Sequence, residues 1–393
     1  MGFKQLIFII LIIYVNSLWA EVPEMTWHKG YGTSFGSHVH EGMQTKDGGY
    51  IGIGQAYRSD DYPDLYIVKT DNSGDKEWQK LIGSTNQYDI GICIDQVSDG
   101  YIAGGAVYDS VSQRTQRFLV KLDLSGEIIW DKIYSSKGIG GIRGIDITDD
   151  GSIITTGYVN VPDVEEFRGY VFIVDKGDGF IMKLDSQGNE KWEKGIDAPQ
   201  GTKVREINDG YAICSCVWTW TEEAGDNMDF CLFKTDKQGN TKWKKTYGGD
   251  NHEHCYDFDL TTDGGFILGG HTTSYGVSNW DYLLMKIDSS GNEEWHKTFG
   301  QPRGYDAEYI HDEAYGVRQV PDGGYIIAGG SGDEYGYSAS GHSAGPSDEW
   351  KAYLVRTNGT GEMLWQGVYP EEGDVGNTAA EYIGLTDDGG YIV

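Results

Sequence analysis

Short apolar runs separated by glycine- and aspartate-rich turns recur along this chain. In one copy of the pattern, residues 266–270 (FILGG) and 282–287 (YLLMKI) are apolar at nearly every position, which is typical of β-strands covered on both faces. Residues 288–291 (DSSG) have the composition of a tight turn, and residues 294–299 mix polar side chains with a tryptophan, as an exposed edge strand does. An innermost strand precedes each Asp-Gly turn, for example at residues 315–320. The pattern predicts repeated sheets of four antiparallel strands.

Two sequence elements mark each copy of this sheet. The first reads Asp-x-x-Gly-x-x-x-Trp, with Asn in place of Asp in its last copy and a basic residue two positions before. Its tryptophans are Trp78, Trp130, Trp192, Trp243, Trp295 and Trp365. The second is an Asp-Gly turn that begins at Asp47, Asp99, Asp150, Asp209, Asp263, Asp322 and Asp388.

The spacing of the Asp-Gly turns, 51 to 66 residues, is that of a propeller blade with loop insertions. We therefore predict an all-β, seven-bladed β-propeller built from four-stranded blades. The alternative is an open solenoid of the same repeats, but solenoid coils usually have shorter periods and need no hairpin of fixed spacing.

The two ends of the chain bear on how this propeller closes. Trp27 lies in residues 25–32 (MTWHKGYG), which match the outer strands of later copies but follow no other strand of a blade. We expect this N-terminal strand to complete the last blade. The sequence stops at residues 390–393, inside a predicted strand, so we expect the C-terminus to be truncated, with one strand of the last blade missing.

The first twenty residues differ from the rest of the chain. Lys4 is followed by an apolar run over residues 6–15 and a small, polar segment that ends at Ala20. This is the pattern of a signal peptide, residues 1–20; an N-terminal anchor is the alternative, although the run is short for a spanning helix. Residues 21–393 would then form a single propeller domain that is secreted or held at the cell surface.

Charge narrows the range of partners. The chain has 61 acidic and 31 basic side chains, a net charge of −30. A field of this sign repels phosphate backbones and anionic lipids. We therefore expect no nucleic-acid partner and no membrane insertion after signal cleavage, and a monomer in solution.

The five cysteines do not form an evenly spaced disulfide framework. Cys214, Cys216 and Cys231 fall in one repeat, whereas Cys93 and Cys255 stand in others. Export permits a bridge from Cys231 to Cys214 or Cys216. Buried reduced thiols are an equal alternative.

The Lys-x-Asp-x-x-Gly-x-x-x-Trp hairpin resembles the tryptophan-docking repeat of the quinoprotein dehydrogenase-like propeller superfamily. The whole pattern, including the Asp-Gly-Gly-Tyr-Ile turn, is most similar to secreted repeat propellers of bacteria and archaea, most of which have no assigned activity. The resemblance covers residues 21–393 and implies a fold, not a function. Quinoproteins hold their cofactor with adjacent cysteines; Cys214 and Cys216 are separated by one residue, so no quinone cofactor is predicted.

Histidines and a glutamate stand near the start of several innermost strands. Counted back from the residue after each Asp-Gly turn, His38, His254 and Glu313 all lie twelve positions earlier. Equivalent positions on different blades converge around the propeller axis, so these three side chains could coordinate a divalent transition metal. Loop histidines that only form hydrogen bonds are the alternative.

Four tryptophans fall outside the repeated position: Trp218, Trp220, Trp280 and Trp350. Aromatic rings beside carboxylates suit stacking on sugars, while packing between loops is the alternative. Long insertions at residues 161–178, 221–229 and 331–349 indicate one elaborated face, where function usually lies; neutral drift of surface loops would also explain them.

The repeated Asp, Gly and Trp residues are accounted for by turns and packing. No nucleophile elbow, phosphate-binding loop or zinc motif of paired cysteines occurs in the sequence. We therefore predict a non-catalytic extracellular binding or scaffold propeller that recognises a glycan or a protein on the elaborated face. The alternative is a polysaccharide hydrolase or lyase with its site at the mouth of the channel.

Overall fold

The computed structural model describes residues 22–58, 62–84, 86–162, 176–221, 225–277, 279–333, 349–369 and 378–393. Within these ranges every regular element is a β-strand. Consecutive strands pair antiparallel, so each four-stranded sheet is a simple meander.

The described strands form six four-stranded blades, taken here in chain order. Blade 1 consists of β1 (Ser37–Gln44), β2 (Tyr50–Tyr57), β3 (Pro63–Thr70) and β4 (Lys76–Ile82). Blade 2 consists of β5 (Ile90–Val97), β6 (Gly100–Asp109), β7 (Arg114–Asp123) and β8 (Ile128–Tyr134). Blade 3 consists of β9 (Ile139–Ile147), β10 (Ile153–Val161), β11 (Asp178–Leu184) and β12 (Glu190–Ile196).

The second half of the chain repeats this arrangement. Blade 4 consists of β13 (Lys203–Ile207), β14 (Gly210–Thr221), β15 (Gly225–Thr235) and β16 (Thr241–Tyr247). Blade 5 consists of β17 (Glu253–Leu260), β18 (Phe266–Thr272), β19 (Asp281–Ile287) and β20 (Glu293–Phe299). Blade 6 consists of β21 (Ile310–Gln319), β22 (Tyr325–Asp333), β23 (Lys351–Thr357) and β24 (Met363–Tyr369).

The predicted all-β propeller of four-stranded blades is confirmed, but the predicted number of seven blades is wrong. Beyond the six blades, the described residues contain only a small sheet of β25 (Gly384–Leu385) and β26 (Tyr391–Ile392). Residues 25–32 form no strand. An outer strand is held by a ladder of hydrogen bonds to the strand beside it, and the small sheet ends at β26, so the N-terminal segment has no ladder to join.

The N-terminal segment nevertheless packs on blade 1. The ring of Trp27 lies over Gly74, and its centroid is 5.4 Å from that of Tyr50. The hydroxyl of Tyr31 donates a hydrogen bond to the carbonyl of Gly74 at 2.5 Å. These contacts attach the segment by side chains, without a sheet.

The repeated tryptophan and glycine meet between neighbouring blades. The ring of Trp243 covers Gly291 in the turn of the next blade, where a Cβ would come within 3.0 Å of the ring. Gly291 also has a φ of +84°, a conformation that glycine adopts without steric cost. Four more contacts of this kind join Trp78 to Gly126, Trp130 to Gly188, Trp192 to Gly239 and Trp295 to Gly361.

An ion pair joins the two sequence elements within each blade. The basic residue before the Asp-x-x-Gly turn contacts the aspartate of the Asp-Gly turn, with N–O distances of 2.5 to 3.2 Å. The pairs are Lys69–Asp47, Lys121–Asp99, Lys183–Asp150, Lys234–Asp209, Lys286–Asp263 and Arg356–Asp322. The repeat therefore joins both hairpin turns of a blade through one cation, which is buried in every blade except blade 4, where Lys234 is partly buried.

All five cysteines are buried and unbridged. Cys231 pairs with Ser215 across β14 and β15, and alternate residues of a strand point to opposite faces. Cys214 and Cys216 therefore lie on the other side of the sheet from Cys231, which explains why the bridge considered from the sequence is not formed. No helix in the described part of the chain is long and apolar enough to cross a membrane.

Candidate functional site

One face of the propeller carries most of the predicted ligand residues. In a meander blade, the loop after the second strand and the entry to the first strand lie at the same end, which we call the upper face. The predicted insertions join β10 to β11, β14 to β15 and β22 to β23, so all three belong to this face. Most of their residues lie outside the described ranges.

A β-bulge recurs on the innermost strands just below the upper face. The register shifts at His40 in β1, Ile92 in β5, Arg143 in β9, Tyr256 in β17 and Tyr315 in β21. A bulge leaves one residue out of the ladder and re-aims its side chain. Here it turns one side chain of each strand toward the axis.

The re-aimed side chains line an open axial cavity of about 30 Å³, which has room for about two water molecules. Besides the five bulge residues, its lining includes Thr202 and Lys203 of blade 4 and Glu381, which precedes β25. Glu381 lies ten residues before Tyr391, as His40 lies ten before Tyr50. Glu381 therefore occupies the place that a bulge residue has in the complete blades.

Deeper along the axis, buried charges are paired. Lys203 Nζ of blade 4 lies 2.8 Å from Glu41 Oε2 of blade 1, and Arg318 lies 2.5 Å from Asp257. Burial would lower the pKa of Lys203, but Glu41 and Asp257 together outweigh it and the pKa is raised. These buried charges therefore compensate each other.

The first polar group on this face joins blade 1 to the small sheet. Glu381 is hydrogen-bonded through one carboxylate oxygen to His38 Nε2 and through the other to His40 Nδ1 at 2.7 Å. Burial would raise the pKa of Glu381, but the hydrogen bonds from the two histidines outweigh it and lower the pKa to about 2. Burial lowers the pKa of His40. For His38 the effect of burial is smaller than that of Glu381, and the pKa is raised.

The second polar group lies between blades 5 and 6. His254 Nδ1 is 3.2 Å from His271 Nε2, and the ring of Trp280 packs on both, with centroid distances of 4.6 and 4.8 Å. Burial, followed by the neighbouring His271, lowers the pKa of His254 to about 3. His254 is therefore uncharged at neutral pH.

Glu313 completes this second group. Its carboxylate lies 3.1 Å from His311 Nδ1 and accepts a hydrogen bond from the hydroxyl of Tyr315 at 2.5 Å. Burial would raise the pKa of Glu313, but His271, His311 and Tyr315 together lower it to about 2. Glu313 is therefore a carboxylate whose acceptor positions are occupied by its own neighbours.

The tryptophans singled out in the sequence differ in exposure. Trp218 is 46% exposed and meets the ring of His252 edge-on at 5.9 Å. Trp280 is packed among histidines, and Trp350 covers Gly330 and Gly332 of β22. The side chain of Trp220 lies outside the part that the structure describes.

The metal ligands proposed from the sequence are only partly brought together. His254 and Glu313 lie close enough on neighbouring blades to influence each other's charge. His38 belongs instead to a group of three with His40 and Glu381, whose donor atoms all lie within 4.8 Å of one another; it is the one such group among the described residues. Sequence reasoning missed Glu381, although its position relative to the last Asp-Gly turn would have placed it beside His40.

These features define the chain as a β-propeller with a polar, aromatic upper face. No protein-family profile matches it, and no curated protein is similar in sequence.

The WD40 domain of Neurospora crassa Pan2 is 12% identical, with a TM-score of 0.53 over 90% of this chain and 84% of that domain. A variant of Synechocystis apocarotenoid oxygenase is 15% identical, with a TM-score of 0.50 over 86% of this chain and 73% of the other. A variant of puromycin hydrolase is 10% identical, with a TM-score of 0.51 over 88% of this chain and 48% of the other. At these identities the likeness shows the fold, on which unrelated functions occur.

Proposed function

We propose that this propeller is a non-catalytic, extracellular binding module whose upper face recognises a glycan. The observation that carries the proposal is the exposure of Trp218 near the end of the β14–β15 hairpin, on the face that also bears the insertions. The repeated tryptophans pack between blades, whereas Trp218, which lies outside the repeated position, offers an exposed apolar surface of the kind that sugar rings stack on.

A hydrogen-bonding group stands beside this ring. The imidazole of His252 meets the ring of Trp218 edge-on, with centroids 5.9 Å apart. A flat aromatic surface flanked by an imidazole can hold a sugar by stacking and by hydrogen bonds to its hydroxyls.

The pKa values of the two axial glutamates do not suit the general acid of a glycosidase. Glycoside hydrolysis needs one carboxylic acid kept protonated by a raised pKa beside a second carboxylate. The pKa of Glu313 is instead lowered to about 2, chiefly because His271, His311 and Tyr315 outweigh its burial. Glu381 is lowered in the same way, to a pKa of about 2. Neither glutamate can donate a proton at neutral pH.

A glycan array tests the proposal. The wild-type chain should bind a defined set of oligosaccharides without releasing products, and Trp218→Ala should weaken that binding by about tenfold or more. Leu124→Ala is the matched control, because Leu124 is also exposed, at 53%, but lies in the β7–β8 turn on the opposite face.

The proposal fails if the wild-type chain binds no glycan, or if Trp218→Ala and Leu124→Ala bind as the wild type does. Release of shortened oligosaccharides would instead support the hydrolase or lyase. Binding of a protein without any glycan to the upper face would contradict the proposal that the ligand is a glycan.

A further inference from the structure

The cluster of His38, His40 and Glu381 has the donor set of a transition-metal site. His38 and the bulge residue His40 are two residues apart on β1. Their ring centroids are 4.5 Å apart. Glu381 reaches them from the other end of the chain, 343 and 341 residues away in sequence.

The cluster combines two nitrogen ligands with one carboxylate in a sheltered position. The side chain of His40 is 3% exposed and that of Glu381 is 13% exposed, whereas that of His38 is 41% exposed. A metal ion could therefore enter past His38 and be held by two ligands that the fold keeps in place. The donor atoms lie within 4.8 Å of one another, and tetrahedral zinc requires ligand separations of about 3.3 Å, which small side-chain rotations can provide.

We propose that His38, His40 and Glu381 bind one zinc ion at the junction of blade 1 and the small sheet. Three protein ligands leave the fourth tetrahedral position to water, as in open zinc sites. His40 and Glu381 also line the axial cavity, whose volume accommodates that water. The site is independent of the glycan face around Trp218 and does not rest on the proposed function.

The surroundings predict which ions bind. Arg143 also lines the cavity, and its guanidinium is hydrogen-bonded to Gln200 at 2.7 Å. Because this positive charge lies near the carboxylate of Glu381, the cavity has no excess of negative charge that would attract any cation, and the ion would have to be held by direct ligation. Calcium prefers six to eight oxygen ligands and magnesium keeps an octahedral shell of oxygens. The two imidazoles therefore select zinc or another late transition metal over both.

The test is zinc binding to the chelator-treated full chain, measured by isothermal titration calorimetry and by metal analysis after dialysis. The wild type should bind one zinc ion per chain in the presence of excess magnesium. Glu381→Gln and His38→Ala should each weaken the affinity at least about 100-fold, because loss of an outer-sphere partner alone costs about 10- to 100-fold.

His296→Ala is the matched control. His296 Nδ1 lies 2.7 Å from Glu293 on the outer strand of blade 5, and this histidine–glutamate pair belongs to no group of three metal-ligand side chains among the described residues. Zinc affinity should be unchanged in this variant. Circular dichroism of each metal-free variant establishes that it is folded. The absorption spectrum of cobalt bound in place of zinc gives a second readout of the site, and His38→Ala should abolish the absorption bands of the bound cobalt.

The proposal is overturned if the wild type takes up no stoichiometric zinc, or if Glu381→Gln and His38→Ala bind it as His296→Ala does. In that case the carboxylate shared by two imidazoles is a structural tie between the small sheet and β1. Should Glu381→Gln fail to fold, the comparison of His38→Ala with His296→Ala decides alone, since both side chains are partly exposed.

Discussion

Two histidine clusters on the same face illustrate how one repeat position acquires different chemistry. In the cluster at blade 1, two imidazoles share the carboxylate of Glu381. In the cluster between blades 5 and 6, His254 is hydrogen-bonded to another histidine and packed under Trp280. His38 and His254 occupy equivalent positions in the repeat. Their neighbours, and not their place in the blade, decide whether a cation is attracted or excluded.

The difference follows from the residue that each ring meets. His38 faces an ionised carboxylate, which stabilises positive charge, and its pKa is raised. His254 faces burial and a second imidazole, both of which oppose positive charge, and its pKa is lowered to about 3. Glu313 is near His254, but its oxygens are occupied by His311 and Tyr315.

The largest expected effect is the acid sensitivity that His254 confers. Its pKa in the folded chain, about 3, lies below the usual value of about 6.5, so the unfolded chain takes up a proton that the folded chain does not. Stability from this group is therefore complete above about pH 6.5 and is lost as the pH falls toward 3, by on the order of 3–5 kcal/mol. The free energy of unfolding should therefore fall less between pH 7 and pH 4.5 in His254→Gln than in the wild type, as measured by urea unfolding at pH 7, 5.5 and 4.5.

His296→Gln controls for removal of a histidine from an exposed position. The side chain of His296 is 34% exposed on the outer strand of blade 5, so its substitution removes a histidine and leaves the cluster between blades 5 and 6 intact. An unchanged acid slope in His254→Gln would mean that the cluster between blades 5 and 6 tolerates a proton, and the contrast with His38 would be lost.

A smaller effect is expected from zinc, which should stabilise the chain through the cluster at blade 1 alone. A free zinc concentration 100 times the Kd would add about 2.7 kcal/mol to the free energy of unfolding. His254→Gln should keep this gain and His38→Ala should lose it, as measured by urea unfolding with and without zinc. A gain lost in His254→Gln but kept in His38→Ala would place the metal between blades 5 and 6.

The sequence identified the parts of the molecule that local chemistry determines. Asp-Gly turns, the Asp-x-x-Gly-x-x-x-Trp hairpin and the paired apolar runs predict the four strands of a blade because each depends on residues close in the chain. The number of blades was mispredicted because residues 25–32 match an outer strand in composition, while forming one requires a neighbouring strand that the small sheet does not supply.

The candidate site could be predicted only in part. His38 and His254 could be found in the sequence because their positions repeat. The orientation of His40 could not, because a β-bulge turns this side chain toward the axis and the bulge forms only when the blades pack together. Glu381 is far from both histidines in the chain, and only alignment on Tyr391 brings it beside His40. Partners across a closed ring are set by tertiary packing, which a local pattern does not contain.

The smallest expected effect concerns stability without metal. The side chain of His38 is 41% exposed, and ion pairs at such positions contribute less than about 1 kcal/mol because water and salt screen them. His38→Ala should therefore lower the free energy of unfolding by less than about 1 kcal/mol in metal-free buffer at pH 7. The same truncation at His271, which is 1% exposed, removes a packed ring and should cost about 2–4 kcal/mol. Equal losses in the two variants would show that the cluster at blade 1 is as much a structural element as the one between blades 5 and 6. A small loss at His38, together with loss of zinc affinity, would instead show that its pairing with Glu381 contributes to binding more than to folding.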